Sequence, residues 1–241
     1  MTKEASYHPS APLGIAVALS AVAGFVDAHM FLHVARVFVA NMSGNMIQLG
    51  MNTGLGDWSG VATSALALVA FLAGVIAATV HHDRRVRRGL PVHPDRLLVI
   101  EALLVIALIG LLVGFDITAV QVRPVTFLAV ALGAVALGMQ TMALRRVGAV
   151  AVATTYGTGT IVRIGEKLAL GVRRADRDDE HRRRVTIAVL VTILVGYIVG
   201  AAIAAALGSS PWTLAVPVAV LGLAAAGSSV MAVDPVDATD V

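Results

Sequence analysis

The chain of 241 residues contains no cysteine, which excludes disulfides and thiolate metal sites. Charge is also scarce, because only 14% of the residues are Asp, Glu, Lys or Arg, against roughly 25% in an average soluble domain. Aliphatic residues take their place: 58% of the chain is hydrophobic and the mean hydropathy is +0.85. This composition is that of an integral membrane protein.

Nucleic acid is not the expected partner despite a sequence pI near 9.8. The basic excess is arginine in short loops beside apolar stretches, where anionic lipid headgroups are the nearest counter-charge. Membrane lipids are therefore the expected partners, and a homo-oligomer is compatible with the sequence. No cofactor is predicted, because Gly157-x-Gly159 lacks a surrounding βαβ unit. No hydrolase motif occurs, so the sequence favours a protein that is not an enzyme, with a membrane-embedded enzyme left as an alternative.

Six stretches are apolar and long enough to cross a hydrocarbon core of about 30 Å, which takes roughly 20 helical residues. They are residues 11–33, 59–80, 97–117, 123–144, 185–207 and 211–232. Two further segments, 36–56 and 148–170, mix apolar residues with polar residues and glycines. We predict an all-α polytopic membrane bundle, a single domain over residues 1–241, with six transmembrane helices and two re-entrant or broken segments.

Arginine decides the orientation, because cytoplasmic loops collect Lys and Arg. The clusters are Arg84, Arg85, Arg87, Arg88 and Arg96; Arg145 and Arg146; and Lys167, Arg173, Arg174, Arg177, Arg182, Arg183 and Arg184. Six spans place all of them in the cytoplasm, with both termini inside. A seven-span variant, in which 36–56 crosses and the N-terminus lies outside, satisfies the charges equally well but breaks the internal symmetry described next.

An internal repeat relates residues 11–117 to residues 123–232. It is visible where Ser43-Gly44-Asn45-Met46-Ile47-Gln48-Leu49-Gly50 is laid over Thr158-Gly159-Thr160-Ile161-Val162-Arg163-Ile164-Gly165, and Gly24 falls over Gly138 after a one-residue shift. Each half reads span, broken segment, span, span. Because three crossings is an odd number, the second half enters from the opposite face, which makes the inverted repeat that secondary transporters use.

Small residues spaced four apart occur in several spans and permit close helix contact. The sets are Ala16, Ser20 and Gly24; Gly74 and Ala78; Gly110 and Gly114; and Gly196 and Gly200. Ordinary packing within the bundle accounts for them, so we assign no site there.

Several of these motifs together resemble the YoaK family of bacterial membrane proteins. They are Gly24-Phe25-Val26-Asp27-Ala28, Phe38-Val39-Ala40-Asn41-Met42-Ser43-Gly44-Asn45, Gly138-Met139-Gln140-Thr141 and Thr158-Gly159-Thr160. The resemblance covers about residues 12–230 and implies a multi-pass protein of the bacterial inner membrane. It supplies no substrate and no catalytic residues.

The broken segments supply the candidate solute site. Ser43 and Thr158 stand where an extended stretch meets a short helix, and we expect both to be N-caps. Two helix N-termini that converge near the midplane would suit an anionic solute; the alternative is a pair of structural hairpins. The predicted solute-binding residues are Asn41, Ser43, Gly44, Asn45, Gln48, Thr155, Tyr156, Thr158, Gly159, Thr160 and Arg163.

Acidic residues inside the spans need a partner, a cavity or a proton. Asp27 lies deep in the first span and is the predicted coupling-ion residue; the alternative is a brace that binds the interrupted backbone near Asn41. Glu101 lies one turn inside the third span, where we expect a salt bridge to the arginine-rich loop. His29 and His33 share a helix face near Asp27, a pattern that favours an interfacial histidine pair over a metal site.

The sequence thus predicts a secondary transporter of a small solute, for which an anion is expected, with a site between two half-helices. A non-transporting membrane scaffold or partner subunit and an ion channel are the alternatives. Fold-level analogy supplies much of the transport prediction.

Overall fold

The structure, a computed structural model, describes residues 10–90, 94–115, 124–143, 146–147, 150–152, 155, 157–170 and 177–228. Nearly all of these residues are helical. In chain order the elements are α1 (Ser10–Met30), a π-helical turn (Phe31–Ala35), α2 (Met42–Leu55), α3 (Trp58–Arg87), α4 (Pro94–Gly114), α5 (Pro124–Ala143), β1 (Arg146–Val147), β2 (Val150–Ala151), α6 (Gly157–Leu170), α7 (Arg177–Leu207), a 3-10 turn (Pro211–Leu214) and α8 (Ala215–Ser228).

Within the described residues, six helical segments are long and apolar enough to cross a membrane. They are Leu13–Ala35, Trp58–Arg87, Asp95–Gly114, Pro124–Ala143, Glu180–Leu207 and Pro211–Ser228. The predicted all-α polytopic bundle with six spans is therefore confirmed. The helices α3 and α7 are longer than predicted, because charged residues extend the end of one and the start of the other. The two-residue strands β1 and β2 pair antiparallel and are a small exception to an all-helical chain.

The helices α2 and α6 are the short members of the bundle. Each has 14 residues, which at 1.5 Å per residue is about 21 Å, less than the roughly 30 Å of a hydrocarbon core. Non-helical backbone precedes α2 at residues 36–41, and the small β-ladder precedes α6. The helix α2 ends at Gly56, whose φ of 72° is the left-handed conformation that glycine adopts without strain.

Two pairs of long helices cross at glycines. The helix α1 packs along α7, and α3 packs along α5. A Cβ atom at Gly24 would collide with the Tyr197 carbonyl, and one at Gly200 with the Ala21 carbonyl. The second crossing has the same form, because Gly138 lies against the Phe71 carbonyl and Gly74 against the Val135 carbonyl. Backbones approach this closely only where no side chain intervenes.

The described helices form two groups of four. Three helices of each group come from one half of the sequence and the fourth comes from the other half. We call α1, α6, α7 and α8 the first bundle, because α7 and α8 pack on α1 and α6 packs on α7. We call α2, α3, α4 and α5 the second bundle, because α3 and α4 pack on α5 and α2 packs on α3. The helix α4 of the second bundle packs against α8 of the first.

The main core lies between the bundles and is aliphatic. Its fully buried members on α1 and α5 include Leu19, Ala23, Val26, Val130, Ala134 and Leu137. The same core includes Leu98, Val105 and Leu108 of α4, and Leu221 and Ala224 of α8.

Candidate functional site

The first broken segment begins where α1 loses its regular helix. The π-helical turn ends at Arg36, whose φ of 55° is unusual for a residue other than glycine. The backbone then runs without helix to Asn41. The rings of Phe31 and Phe38 stack with their centroids 4.6 Å apart, so the reversed chain packs back against the end of α1. The sequence predicted the interruption but not the π-helical turn.

Asp27 lies beneath this segment and accepts four hydrogen bonds. Its Oδ1 accepts from the backbone N–H groups of Val39 and Ala40, each at 2.6 Å. Its Oδ2 accepts from the N–H of Asn41 at 2.9 Å and from the hydroxyl of Tyr197 on α7. The side chain is only 2% exposed. An ionised carboxylate is acceptor-only, so this set of four donors suits its charged form.

Two asparagines complete the first segment. The side chain of Asn45 is fully buried and makes two bonds to Phe38, accepting from its N–H at 2.9 Å and donating to its carbonyl at 2.6 Å. Asn41 is the N-cap of α2, and its Oδ1 accepts from the N–H of Gly44 at 3.3 Å and from the hydroxyl of Ser43 at 2.8 Å. The prediction that Ser43 is the cap was wrong by two residues, because the helix begins at Met42 and its cap is therefore Asn41.

The first turn of α2 presents its hydroxyl outward. Ser43 is exposed, whereas Gly44 and Gln48 are half-buried. A Cβ atom on Gly44 would lie 2.8 Å from the ring of Phe38, so glycine is needed there for the chain to fold back. Of the predicted residues in this half, Asn41 and Asn45 therefore hold the backbone, and Ser43 is the polar side chain of the first turn that reaches the surface.

The second broken segment has a neutral contact where the first has Asp27. The hydroxyls of Thr141 and Thr155 are 2.9 Å apart, and Thr141 also donates to the Leu137 carbonyl at 3.0 Å. Because Thr141 has one proton, Thr155 is the donor between the two hydroxyls. Thr155 is buried, with 7% exposure. The helix α6 begins at Gly157, so Thr158 lies inside its first turn and is not the predicted N-cap.

The other predicted residues of this half are spread around α6. Thr158 and Arg163 are exposed, Gly159 is half-buried and Thr160 is buried. Tyr156 lies outside the described residues.

The two polar contacts lie at different levels of the bundle. Gln140, next to Thr141 in the chain, donates through Nε2 to the Leu19 carbonyl at 2.8 Å. Asp27 lies eight residues further along α1, which is about 12 Å along the helix axis. Buried aliphatic residues of α1 and α5 lie between these levels. The half-helix starts predicted to converge on one point are thus separated by apolar packing.

The histidines near Asp27 contact each other. The rings of His29 and His33 meet edge to face at 5.3 Å, and Nδ1 of His29 is 3.3 Å from the Thr213 hydroxyl. In the part of the chain that the structure describes, no group of three or more His, Cys, Asp or Glu side chains is placed to hold a metal ion.

Glu101 is the residue for which sequence reasoning gave the wrong environment. Its side chain is fully buried, and neither carboxylate oxygen has a hydrogen-bond partner among the described residues. The salt bridge expected with the arginine-rich loop does not form, because Glu101 lies on the face of α4 that also buries Leu98, Val105 and Leu108. The spacing of those apolar residues was the signal, since positions three and four apart share one helix face.

Comparisons with known proteins identify the sequence family of the chain. Residues 15–227 match the family described as protein of unknown function (DUF1275). The chain is 31% identical over 153 residues to the UPF0700 transmembrane protein YoaK of Bacillus subtilis (strain 168), a match that covers 63% of this chain and 64% of that protein. The match thus spans less than two thirds of that relative. No solved structure matches the chain.

Proposed function

The chain belongs to the DUF1275 family, which confirms its resemblance to the YoaK proteins, and from this membrane architecture we propose that it is a secondary transporter of a small anionic solute. The observation that carries the proposal is a broken membrane segment held across the bundle interface by a buried carboxylate. Asp27 belongs to the first bundle, and the three N–H groups that it accepts lead into α2 of the second.

Reciprocal contacts support the inverted repeat in this proposal. Gly24 and Gly138 are 114 positions apart, and so are their helix neighbours Ala21 and Val135, which face Gly200 and Gly74. Those two glycines are 126 positions apart, as are Tyr197 and Phe71. The partners of Gly24 and Gly200 in the α1–α7 crossing thus have counterparts in the α3–α5 crossing. Two equivalent bundles are what alternating access by rocking requires.

The polar contacts that would change during rocking lie at equivalent positions. Asp27 and Thr141 are 114 positions apart, and each bonds the segment before a half-helix of the opposite bundle. The halves differ in charge, because Tyr197, which donates to Asp27, has Phe71 as its counterpart. We propose that the charged contact holds one side of the transporter closed and the neutral contact holds the other.

The solute site in this proposal comprises the first turns of α2 and α6. Both helix starts have N–H groups without intrahelical partners and a partial positive charge, which together favour an anion. Ser43 and Thr158 have exposed hydroxyls there, and Arg163 lies one turn further along α6. The apolar packing between α1 and α5 then corresponds to a closed conformation. The coupling role of Asp27 stays a prediction, and its four donors favour an ionised latch.

The same apolar packing favours a second function, a membrane scaffold or partner subunit that does not transport. In that case the polar groups of the broken segments stabilise only the backbone. The scaffold predicts that no small anion binds, whereas a carrier must bind its solute.

A thermal-shift screen of the purified full chain tests the two functions. The probes are inorganic phosphate, sulfate and a panel of small carboxylates, each at several pH values. A solute at about 100 times its Kd stabilises the folded protein by about 2.7 kcal/mol, which raises the midpoint of thermal unfolding. We expect Ser43→Ala to abolish the shift.

The matched control is Thr53→Ala, which removes an exposed hydroxyl at the other end of α2 that donates to the Leu49 carbonyl within the same helix. Proteoliposomes should then take up the anion that gave the shift. The scaffold function replaces the transporter if every probe leaves wild type and Ser43→Ala with the same unfolding midpoint.

A further inference from the structure

Glu101 is a buried carboxyl that the proposed transport mechanism does not yet use. It is 0% exposed, and both oxygens lack a hydrogen-bond donor within the described ranges of the chain. It lies on a membrane-spanning helix, at the position of α4 between Leu98 and Val105. Ionisable residues inside membrane spans are costly and mark ion or proton pathways.

Among the described residues, the elements that pack most closely against α4 carry no charge to pair with Glu101. The helix α4 packs mainly against α5, α8 and the 3-10 turn Pro211–Leu214, and none of these three elements contains a titratable side chain. On α4 itself, Asp95 and Arg96 lie six and five residues earlier, about 9 and 8 Å along the axis. His81 of α3 interacts electrostatically with Arg85 of the same helix and with Arg96 of α4. These groups therefore lie near the start of α4.

The uncharged acid is the form that this environment tolerates. An isolated carboxylate in an apolar interior costs far more free energy than the neutral acid, because nothing replaces its lost hydration. A metal would need further ligands, and the described residues offer no group of three. A proton needs only one carboxyl oxygen.

Packing does not require a carboxyl at this place. Six of the seven buried positions in the described part of α4 recur in the 3-10 turn and α8 at a spacing of 116: Leu98 with Leu214, Glu101 with Pro217, Val105 with Leu221, Leu108 with Ala224, Ile109 with Ala225, and Leu112 with Ser228. The position equivalent to Glu101 is thus filled by the apolar Pro217. The carboxyl therefore occurs in only one of the two equivalent positions, and the repeated packing does not require it.

Glu101 also lies where the two bundles meet. Its neighbours on the buried face of α4, Leu98 and Val105, belong to the same apolar cluster as Leu221 and Ala225 of α8. Separation of α4 from α8 would admit water to this cluster. The carboxyl could then lose its proton to water on one side of the membrane and take one up from the other.

We propose that Glu101 is the proton-coupling residue of this protein: it is protonated while the α4–α8 interface is closed and ionises when the interface opens. The inference rests on the proposed transport function and makes the coupling ion a proton. It transfers the coupling role from Asp27, whose carboxylate is satisfied by four donors, to a carboxyl that has none.

Infrared spectroscopy of the reconstituted full chain tests the protonation. A buried protonated carboxyl has a carbonyl band distinct from that of a carboxylate, and we expect wild type to keep this band at neutral pH. Glu101→Gln should remove it and Asp27→Asn should leave it. If Glu101→Gln does not fold, Glu101→Asp should shift the band. A wild-type spectrum without the band at neutral pH overturns the proposal.

Cysteine labelling tests the coupling to interface opening. Ala225→Cys places a thiol in the buried α4–α8 cluster of a chain without native cysteine, and Asp57→Cys is the exposed reference that corrects for thiol ionisation. We expect the labelling rate relative to the reference to rise with pH by up to about tenfold per unit, the limit for release of one proton. Glu101→Gln should make the relative rate independent of pH.

The two proposals fail separately. A flat relative rate in wild type, or a slope that Glu101→Gln retains, overturns the coupling role, whatever the anion screen finds. If no anion shifts the unfolding midpoint, the solute proposal is overturned. The infrared carboxyl band and the pH dependence of the labelling rate still decide the role of Glu101.

Discussion

At the scale of single residues, two buried acidic side chains, one in each bundle, have opposite environments. Asp27 and Glu101 are both buried acids in apolar spans, and composition alone treats them alike. Asp27 has four donors, three from the backbone of the broken segment that returns over it and one from Tyr197, whereas neither oxygen of Glu101 has a donor among the described residues. The sequence predicted that Asp27 needs a partner, but it could not decide between a brace and a coupling site.

Removal of the Asp27 carboxylate should destabilise the protein more than its replacement by an amide. Asp27→Ala leaves three backbone N–H groups and the Tyr197 hydroxyl without their acceptor, and we expect the free energy of unfolding to fall by more than about 3 kcal/mol, because each buried donor left unsatisfied costs about 1–3 kcal/mol. Asp27→Asn keeps one oxygen acceptor and should cost about 1–3 kcal/mol. Thermal unfolding in detergent measures both.

The matched control is Asp57→Asn. Asp57 is the exposed N-cap of α3 and accepts from the Gly60 N–H at 3.1 Å. Because Asp and Asn are similar caps, this change should alter stability by less than about 0.5 kcal/mol. Equal losses for Asp27→Asn and Asp57→Asn would contradict the bracing role.

At the scale of elements, the glycines separate into two kinds that the sequence does not distinguish. The spacing of small residues by four picked out both Gly196–Gly200 and Gly110–Gly114 as places of close approach. In the structure Gly200 lies against the backbone of α1, whereas a Cβ atom on Gly110 or Gly114 would meet open space. Periodicity gives the helix face on which a glycine lies, but not whether another helix covers that face.

Alanine at the crossing should therefore force α1 and α7 apart. We expect Gly200→Ala to lower the free energy of unfolding by about 1–3 kcal/mol, the usual range for overpacking, because its Cβ atom collides with the Ala21 carbonyl. Gly110→Ala should be neutral or stabilising by up to about 1 kcal/mol, since alanine is the better helix former. The unfolding midpoint of Gly200→Ala should lie below that of wild type, and the midpoint of Gly110→Ala should lie at or above it. Identical midpoints for the two variants would refute the close crossing.

At the scale of the whole molecule, α1 packs with helices from the second half of the sequence and α5 packs with helices from the first half. The length of α2 bears on topology, because a helix of about 21 Å cannot span a core of roughly 30 Å and is better suited to a re-entrant segment. This favours six crossings over the seven-span variant. We keep the orientation with both termini in the cytoplasm of a bacterial inner membrane as our proposal, supported by the arginines at the end of α3 and the start of α7.

Single cysteines test that orientation in intact cells with a membrane-impermeant reagent. Six spans place Arg36→Cys and Asp57→Cys on the periplasmic side, and Asp83→Cys near the other end of α3 on the cytoplasmic side. We expect the first two to react at once and the third only after the membrane is permeabilised. If position 57 reacts at once and position 36 reacts only after permeabilisation, the seven-span variant is supported instead. Position 121, which should also react from the periplasm, lies outside the described residues.

Local sequence features are enough to predict the membrane class, the six spans and the two segments where regular helix is interrupted. These follow from the hydropathy and glycine content of contiguous residues, which act locally on insertion and on backbone conformation. Whether a buried polar group finds a hydrogen-bond partner depends on how the helices pack, because some of the partners come from distant parts of the chain. The hydroxyl that reaches Asp27 is 170 positions away, and the helices that isolate Glu101 lie in the other half of the sequence. Burial and hydrogen bonding depend on that packing, and so does the difference between a braced carboxylate and one free to carry a proton.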